Sequence, residues 1–189
     1  MGKYIAFLRA VNVGGAVLRM EDFRKTLEYI GYSGVKTYIQ SGNAVFEHTE
    51  SNKRRMEAEI DSELKNRLKV ETLAIVLSRE ELQAAVESHP LSHMGDVKNL
   101  YATLLSHEAA KEEVETLMET MNDIDRHEVR HRVVYSYYGE GYGKSRRSNN
   151  FIEKILKVSA TTRNWTTMKA VMDLCEGREP AGIEQGSVV

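Results

Sequence analysis

The sequence predicts an α+β fold made of two tandem ferredoxin-like units, each with the element order β-α-β-β-α-β, the second modified with an extra C-terminal helix. Short runs rich in β-branched and aromatic residues alternate with segments in which apolar residues recur every three or four positions. The same order of elements appears in both halves of the chain, although the letters do not repeat. With 189 residues, of which 41% are hydrophobic and 29% charged, the chain has enough apolar material for a core.

The first ferredoxin-like unit is predicted at residues 1–77. Its four strands are expected at residues 4–8, 35–39, 44–46 and 70–77. The turn Ser41-Gly-Asn43 joins the middle two strands as a hairpin, and Gly31 ends the first of two amphipathic helices. The apolar faces of these helices are Met20, Phe23, Leu27 and Ile30, and then Met56, Ile60, Leu64 and Leu68.

A helical linker is predicted at residues 78–98, where Ser78 and Glu81 form a capping box at the start of a helix. The second unit follows at residues 99–175, and a flexible tail at 176–189. The strands of the second unit are expected at residues 100–105, 125–131, 133–138 and 158–162. Its three helices are marked by Val114, Leu117, Met118 and Met121, by Phe151, Ile152, Ile155 and Leu156, and by Trp165, Met168, Val171 and Met172.

Charge is distributed unevenly along the chain. Residues 144–169 hold seven basic residues and one acidic residue, a net charge of +6, whereas the whole chain carries −2 and the remainder therefore −8. A cationic segment on an acidic body predicts anion binding. Two polar runs in this segment, Ser145-Arg-Arg-Ser-Asn-Asn150 and Thr161-Thr-Arg-Asn164, hold more Arg and Thr than the capping of the following helices requires.

Two loops in the first half are further candidate ligand contacts. Asn12-Val-Gly-Gly15 lies between a strand and a helix, where glycines let backbone amides approach a phosphate. Gln40-Ser-Gly-Asn43 forms the predicted hairpin tip. A plain tight turn, a polar hairpin tip and simple helix caps are the alternative interpretations of these motifs. The predicted ligand-binding residues are Arg9, Asn12, Gly14, Gly15, Gln40, Ser41, Asn43, Ser145, Arg146, Thr162, Arg163 and Asn164.

The spacing of titratable residues assigns neither a catalytic residue nor a metal site. His89 and His93 are four residues apart with a proline between them, and His127 and His131 in a strand would lie roughly 13 Å apart. We therefore predict no metal and no cofactor. A single cysteine, Cys175, favours a reducing, cytoplasmic location. No run of 18 apolar residues is present, so no membrane helix is expected.

Three motifs resemble the signatures of the domain of unknown function 1697 family. They are Tyr4-Ile-Ala-Phe-Leu-Arg-Ala-Val-Asn-Val-Gly-Gly15, Thr37-Tyr-Ile-Gln-Ser-Gly-Asn43 and Ala160-Thr-Thr-Arg-Asn-Trp-Thr-Thr167. The resemblance covers residues from about 3 to 174. It implies a soluble, mostly bacterial α+β protein with ferredoxin-like halves and no established activity. The chain departs from the family after its Gly-Gly pair, where the family usually continues with Lys or Arg and Asn and this chain has Ala16-Val-Leu, the next base being Arg19.

The predicted function is the binding of a phosphorylated or otherwise anionic, nucleotide-like small molecule in a cleft between the two units, because polar loops gather at element ends. One alternative is a nucleic-acid-binding module that uses Tyr135, Tyr137 and Tyr138 beside the basic segment. The others are a transferase or hydrolase for a phosphorylated substrate and an oligomeric interaction protein with an open sheet edge. The sequence leaves open whether the protein is an enzyme.

Overall fold

A computed structural model of the protein describes residues 1–12, 17–120 and 124–180. The chain divides into two compact units, one formed by Met1–Ala84 with the described residues from Lys169 onward, the other by Ala85–Met168. Each unit holds one four-stranded antiparallel sheet, and the described residues form six α-helices. The predicted α+β fold class is thereby confirmed at this level. The described residues from Lys169 onward group with the first unit, whereas the sequence-based division placed residues 169–175 in the second unit and residues 176–189 in a tail.

The strands of the first unit are β1 (Gly2–Leu8), β2 (Ser33–Tyr38), β3 (Asn43–His48) and β4 (Ala74–Ser78). Its helices are α1 (Met20–Tyr29) and α2 (Lys53–Leu68), and α3 (Arg79–Val86) follows β4. The strand order is β2-β3-β1-β4. Two predicted local signals are confirmed. Gly31, with φ 91°, follows α1, and Ser78 and Glu81 exchange hydrogen bonds of 2.8 and 3.2 Å.

The core of the first unit lies between one face of its sheet and the apolar stripes of α1 and α2. Every second residue of β1 from Tyr4 to Leu8 points into it, as the alternation of a strand requires. The helices contribute Met20, Phe23, Leu27, Met56, Ile60 and Leu64, all buried and all expected from the helical spacing. Each such side chain stabilises the unit by about 1.5–3 kcal/mol relative to an exposed position.

The strands of the second unit are β5 (Leu100–Leu105), β6 (Asp125–Arg130), β7 (Val133–Tyr138) and β8 (Ala160–Asn164). Its helices are α4 (Lys111–Glu119) and α5 (Asn149–Leu156), and α6 (Trp165–Cys175) follows β8. The strand order, β6-β7-β5-β8, repeats that of the first sheet position by position. Met121, expected in the α4 face, lies outside the described residues.

The segments predicted as a linker and a tail contain local structure of their own. After α3 the chain forms two short 3₁₀ helices, Ser92–Met94 and Val97–Asn99, before β5 begins. In the predicted tail, Glu176 pairs with Arg79 at 2.9 Å. Residues 181–189 of the tail lie outside the described residues.

Candidate functional site

Asn12 is held by backbone groups on both sides of its amide. Its Nδ2 donates to the carbonyls of Leu18, at 2.9 Å, and Gln40, at 2.6 Å, and its Oδ1 accepts from the Leu18 N–H at 2.7 Å. Asn12 itself has φ 57°, a left-handed conformation that asparagine tolerates. These bonds tie the two ends of the loop before α1 together and attach it to the β2–β3 hairpin. Gly14 and Gly15 lie outside the described residues.

The hairpin tip is also explained by its own packing. Asn43 is fully buried, and its Nδ2 donates to the Tyr38 carbonyl at 3.0 Å and to Ser41 Oγ at 2.9 Å. Gly42 has φ 75°, and a Cβ there would lie 2.6 Å from Val11 Cγ2, so only glycine fits. Gln40 is exposed and Ser41 half-buried.

Arg9 continues this arrangement on the other side of β1. Its N–H donates to the Leu73 carbonyl at 2.9 Å, and its carbonyl accepts from Thr72 Oγ1 at 2.7 Å. The local structure thus accounts for the polar residues Asn12 and Asn43, and a ligand-binding role for the residues of these loops remains a prediction.

The seven cations of residues 144–169 fall into three groups. Arg147 and Lys157 have partners: Arg147 Nε donates to the Thr120 carbonyl at 2.8 Å, and Lys157 pairs with Glu113 at 3.0 Å. Arg163 is buried. The exposed cations, for which no ion pair with another described residue is seen, are Lys144, Arg146, Lys154 and Lys169.

Arg163 lies on β8 with 8% of its surface exposed. Its Nη1 donates to Thr161 Oγ1 at 2.7 Å and to the Thr162 carbonyl at 2.9 Å. Burial lowers the pKa of the guanidinium to about 10, which still leaves it charged at neutral pH. The neighbouring Asn164 accepts the Thr167 N–H at 2.7 Å, so it caps α6, as one alternative interpretation of this run proposed.

The face of the second sheet that α4 and α5 cover is divided into an apolar and a polar half. The apolar half packs Leu105, Val134 and Ala160 against the helices. Because alternate residues of a strand share a face, the strands continue from these positions into a polar half. The polar residues on this face are Tyr101, Thr103, Asp125, His127, Ser136, Tyr138, Thr162 and Asn164.

Thr162, one of the predicted ligand contacts, is engaged inside this polar half. Thr103 and Thr162 lie 2.8 Å apart between their hydroxyl oxygens, and Thr162 also donates to Asn149 Oδ1 at 2.9 Å. Asn149 Nδ2 in turn donates to the Ala160 carbonyl at 3.1 Å. The chain of hydrogen bonds fastens the start of α5 to the outer strand of the sheet.

His127 and Ser136 form a buried pair that sequence spacing does not reveal. His127 Nδ1 and Ser136 Oγ are 2.8 Å apart on adjacent strands, and Asp125 lies on the same face of β6. Burial lowers the pKa of His127 to about 4, which keeps the imidazole neutral at pH 7. Ser136 has no exposed surface, so this Ser–His pair offers no nucleophile to a substrate.

Three tyrosines lie at the end of the polar half. Tyr101 and Tyr142 stack with ring centroids 4.9 Å apart, and Tyr138 meets both rings edge-on at 5.4 and 5.2 Å. Tyr138 is buried and its hydroxyl donates to the Arg147 carbonyl at 2.8 Å. Tyr101 and Tyr142 remain half-buried, and the Tyr142 oxygen accepts the Asn149 N–H at 3.0 Å.

The nucleic-acid alternative placed Tyr135, Tyr137 and Tyr138 on one strand as a stacking surface for bases, and the structure does not support such a surface. Tyr135 and Tyr138 are buried, and Tyr135 donates its hydroxyl to the Ala85 carbonyl at 2.9 Å. Of the three tyrosines on β7, Tyr137 alone keeps appreciable exposure. Tyr138 lies on the face that the helices cover, and Tyr135, on the same face as Tyr137, packs against His89 and Trp165. The strand therefore does not present a row of rings to bases.

Residues 139–148 form a loop, here called the tyrosine loop, that is tied back onto the sheet. Asp125, only 6% exposed, accepts Ser145 Oγ–H at 2.7 Å and faces Arg147 Nη1 at 3.5 Å through the same oxygen. Ser145 Oγ also accepts the Arg147 N–H at 3.0 Å. Lys144, just before Ser145, and Arg146, between Ser145 and Arg147, remain exposed.

Sequence reasoning found Ser145 and Arg146 but missed Asp125 and Tyr142. The signal for both was present, because Asp125 begins a predicted strand and Tyr142 lies two residues before Lys144, where the cationic segment begins. What the sequence lacks is the register that brings Asp125 opposite Tyr138 and hence beside the loop. Among the described residues no group of three His, Cys, Asp or Glu side chains is placed to hold a metal ion.

Two four-stranded antiparallel sheets with the same strand order define an α+β protein of two topologically alike units. The chain belongs to the DUF1697 family, described as proteins of unknown function, which it matches over residues 1–135. This confirms the resemblance seen in its motifs, of which the third, at residues 160–167, lies beyond the matched region. No curated protein matches the sequence.

A solved structure of the conserved bacterial protein SP0830 from Streptococcus pneumoniae is similar over nearly the whole chain. The two share 20% sequence identity with a TM-score of 0.70, covering 93% of this chain and 99% of the other. At this identity the likeness shows the fold alone. No helix among the described residues is long and apolar enough to cross a membrane.

Proposed function

We propose that the protein binds a small anionic, nucleotide-like molecule at the tyrosine loop of the second unit. The observation that carries this function is the pairing of two exposed cations, Lys144 and Arg146, with the half-buried rings of Tyr101 and Tyr142. The ligand class is the one expected from the sequence. The proposed contacts keep Arg146 from the predicted residues, add Lys144, Tyr101 and Tyr142, and lie within the second unit instead of in a cleft between the units.

The charge of the site favours a phosphate. Arg146 offers a planar fork that matches two phosphate oxygens, and Lys144 adds a second mobile cation two residues away. Because the other cations of the loop region are already engaged, as Arg147 is with Asp125 and Thr120, the anion would be held by these two side chains. The net charge of +6 over residues 144–169 draws anions towards the same region.

The tyrosine pair favours a ligand with a planar group. Stacking of a base on an aromatic ring contributes about 1–3 kcal/mol, and it does not depend on the identity of the base. Tyr101 and Tyr142 are already parallel to within 22°, so a ligand ring would meet a fixed surface. A fixed surface lowers the ordering cost of binding.

Isothermal titration with ADP, pyrophosphate and adenosine tests this function. We expect ADP to bind most tightly, because it alone combines the anion with the ring. The double variant Lys144→Glu/Arg146→Glu should weaken ADP binding at least tenfold, since two charge-assisted contacts become repulsive.

The matched control is Lys154→Glu/Lys169→Glu, which makes the same change in charge at two other exposed cations. It should change ADP affinity by no more than about threefold, the effect of long-range charge alone. Equal losses in the two double variants, or no heat with any of the three compounds, would contradict the proposed function.

Each unit is proposed to be ferredoxin-like, on the support of the element order β-α-β-β-α-β and the strand orders given above. A cytoplasmic location is proposed because the single cysteine, Cys175, is a buried free thiol.

A further inference from the structure

The tyrosine loop is fastened at several points rather than left free. At its start, Gly139 donates its N–H to the Ile124 carbonyl at 3.0 Å and accepts from Asn99 Nδ2 at 3.3 Å. At its end, Tyr138 Oη bonds to the Arg147 carbonyl at 2.8 Å. Between these ends the carboxylate of Asp125 faces two side chains of the loop, those of Ser145 and Arg147.

We infer that Asp125 is the positioning residue of the tyrosine loop and holds Lys144, Tyr142 and Arg146 in their binding geometry. One oxygen of its carboxylate accepts the Ser145 hydroxyl at 2.7 Å and faces the Arg147 guanidinium at 3.5 Å. Ser145 and Arg147 flank Arg146 on both sides, so the carboxylate fixes the backbone from which that cation projects. The ligand part of this inference rests on the proposed function, whereas the fastening of the loop does not.

Burial gives this contact its strength. Asp125 is 6% exposed, and a buried carboxylate is stable only when charged or hydrogen-bonding groups face it. Arg147 also reaches the Thr120 carbonyl through both Nε and Nη2, so the guanidinium bridges β6 and the residue after α4. An Asp125→Asn side chain keeps one acceptor for Ser145 but loses the charge that holds Arg147.

Limited digestion with trypsin reads the state of the loop directly, because the bonds after Lys144, Arg146 and Arg147 are cleavage sites within it. Cleavage requires local opening, so its rate follows the population of the open loop. Asp125→Asn should be cut in the loop at least about tenfold faster than the wild type. The matched control is Glu128→Gln, which removes the same charge from β6, where Glu128 pairs with Arg130.

Two comparisons distinguish general unfolding of the variant from release of the tyrosine loop alone. Cleavage at Lys65 and Arg67, on α2 in the other unit, should stay at the wild-type rate. Ser145→Ala removes the two hydrogen bonds of Ser145 Oγ, to Asp125 and from the Arg147 N–H, but leaves the carboxylate facing the Arg147 guanidinium. It should give a smaller increase in loop cleavage, about threefold. Loop cleavage of Asp125→Asn no faster than that of Glu128→Gln would overturn the inference.

ADP affinity of the same variants, measured by titration, decides the role in binding. A fall of about tenfold in Asp125→Asn, with Glu128→Gln unchanged, supports positioning. Faster cleavage with unchanged ADP affinity overturns it. If the wild type itself binds no ADP, the proposed function fails, and the cleavage rates alone support or overturn the fastening of the loop by Asp125.

Discussion

The two units share a strand order but protect the outer strand of their sheets differently. In the first unit, alternate N–H groups of β4 donate to three carboxylates: Ala74 to Asp61 at 2.7 Å, Val76 to Glu57 at 2.9 Å and Ser78 to Glu81 at 2.8 Å. In the second unit, Ala160 at the start of β8 donates to Glu153 at 2.7 Å. At the next alternate position Thr162 uses its hydroxyl to reach the amide of Asn149.

In both units, side chains of the neighbouring helix accept hydrogen bonds from the outer strand, but the accepting groups differ. Glu57 and Asp61 are four residues apart on α2, and Asn149 and Glu153 are four residues apart on α5, so each pair lies along one helix face. An outer strand with unpaired N–H groups can pair with a strand of another chain. Side chains of α2 and α5 accept bonds from the outer strands and so oppose such pairing. The first unit uses two neighbouring acids, whereas the second uses one acid and a neutral amide that also joins the polar half of the sheet.

Removing both acids of the first unit should have the largest effect. Glu57→Ala/Asp61→Ala leaves two N–H groups of β4 without their acceptors, and we expect the free energy of unfolding to fall by about 2–4 kcal/mol. Urea unfolding measures the loss, and hydrogen exchange should show it concentrated at Ala74 and Val76.

The control for this double variant is Glu112→Ala/Glu119→Ala, which removes two exposed acids of α4. That change should stay within about 0.5 kcal/mol. A loss of the same size in both double variants would mean that net charge, and not the acceptors on β4, is responsible.

Glu153 of the second unit should matter about half as much, because the variant removes the acceptor of the Ala160 N–H, whereas the double variant above removes the acceptors of two N–H groups. Glu153→Ala is expected to lower the free energy of unfolding by about 1–2 kcal/mol, whereas Glu153→Gln keeps an acceptor oxygen and should recover most of that loss. The measurement is urea unfolding with exchange at the Ala160 amide. Equal losses for the two substitutions would show that charge matters here and hydrogen bonding does not.

The helices and strands of both units follow from sequence periodicity, but these acceptors do not. Met56, Ile60 and Leu64 mark the buried face of α2 because apolar residues recur at helical spacing. Glu57 and Asp61 carry no such signal, since an acid that faces water and one that accepts a backbone N–H look the same in a sequence. Only the position of β4 beside the helix distinguishes them.

The hydrogen-bond partners of the candidate site residues were also not predictable from the sequence. Asn12 and Asn43 were predicted to bind a ligand because polar residues in loops have no obvious local partner. Their partners are backbone carbonyls, in one case 28 residues away, which spacing cannot reveal. Arg146 was predicted to bind an anion, and that role stays a prediction; its side chain is exposed. The charge density that singled it out is a property of the sequence alone.

Thr162→Val should have a smaller effect and make the second unit more like the first, where Val76 occupies the corresponding position of β4. The substitution removes the bonds to Asn149 and Thr103 and leaves the Asn149 Oδ1 to the solvent at the half-buried start of α5. We expect a loss of about 1 kcal/mol in the free energy of unfolding. Thr166→Val, at an exposed position of α6, is the control and should leave the free energy of unfolding unchanged. A loss of equal size in this control would show that the hydrogen bonds of Thr162 do not contribute to stability.

The pH dependence of stability should show the smallest net effect, because the two units oppose each other. Burial raises the pKa of Asp61 to about 6, so its contribution to stability falls as the pH rises from about 4 to 6. Burial lowers the pKa of His127 to about 4, so its contribution is lost as the pH falls from about 6.5 to 4. Between pH 4 and 6 the two slopes have opposite signs and partly cancel.

Two substitutions separate these slopes. In His127→Asn the opposing contribution of the imidazole is gone, so urea unfolding between pH 4 and 6 should show the protein becoming less stable as the pH rises. In Asp61→Asn the histidine remains, and stability should instead increase over the same range. The amide of each variant keeps an oxygen that can accept the bond made by the original side chain, the Ala74 N–H in one case and the Ser136 hydroxyl in the other. Parallel pH profiles for the two variants would show that neither group titrates as its burial requires, and that the opposition between the units does not exist.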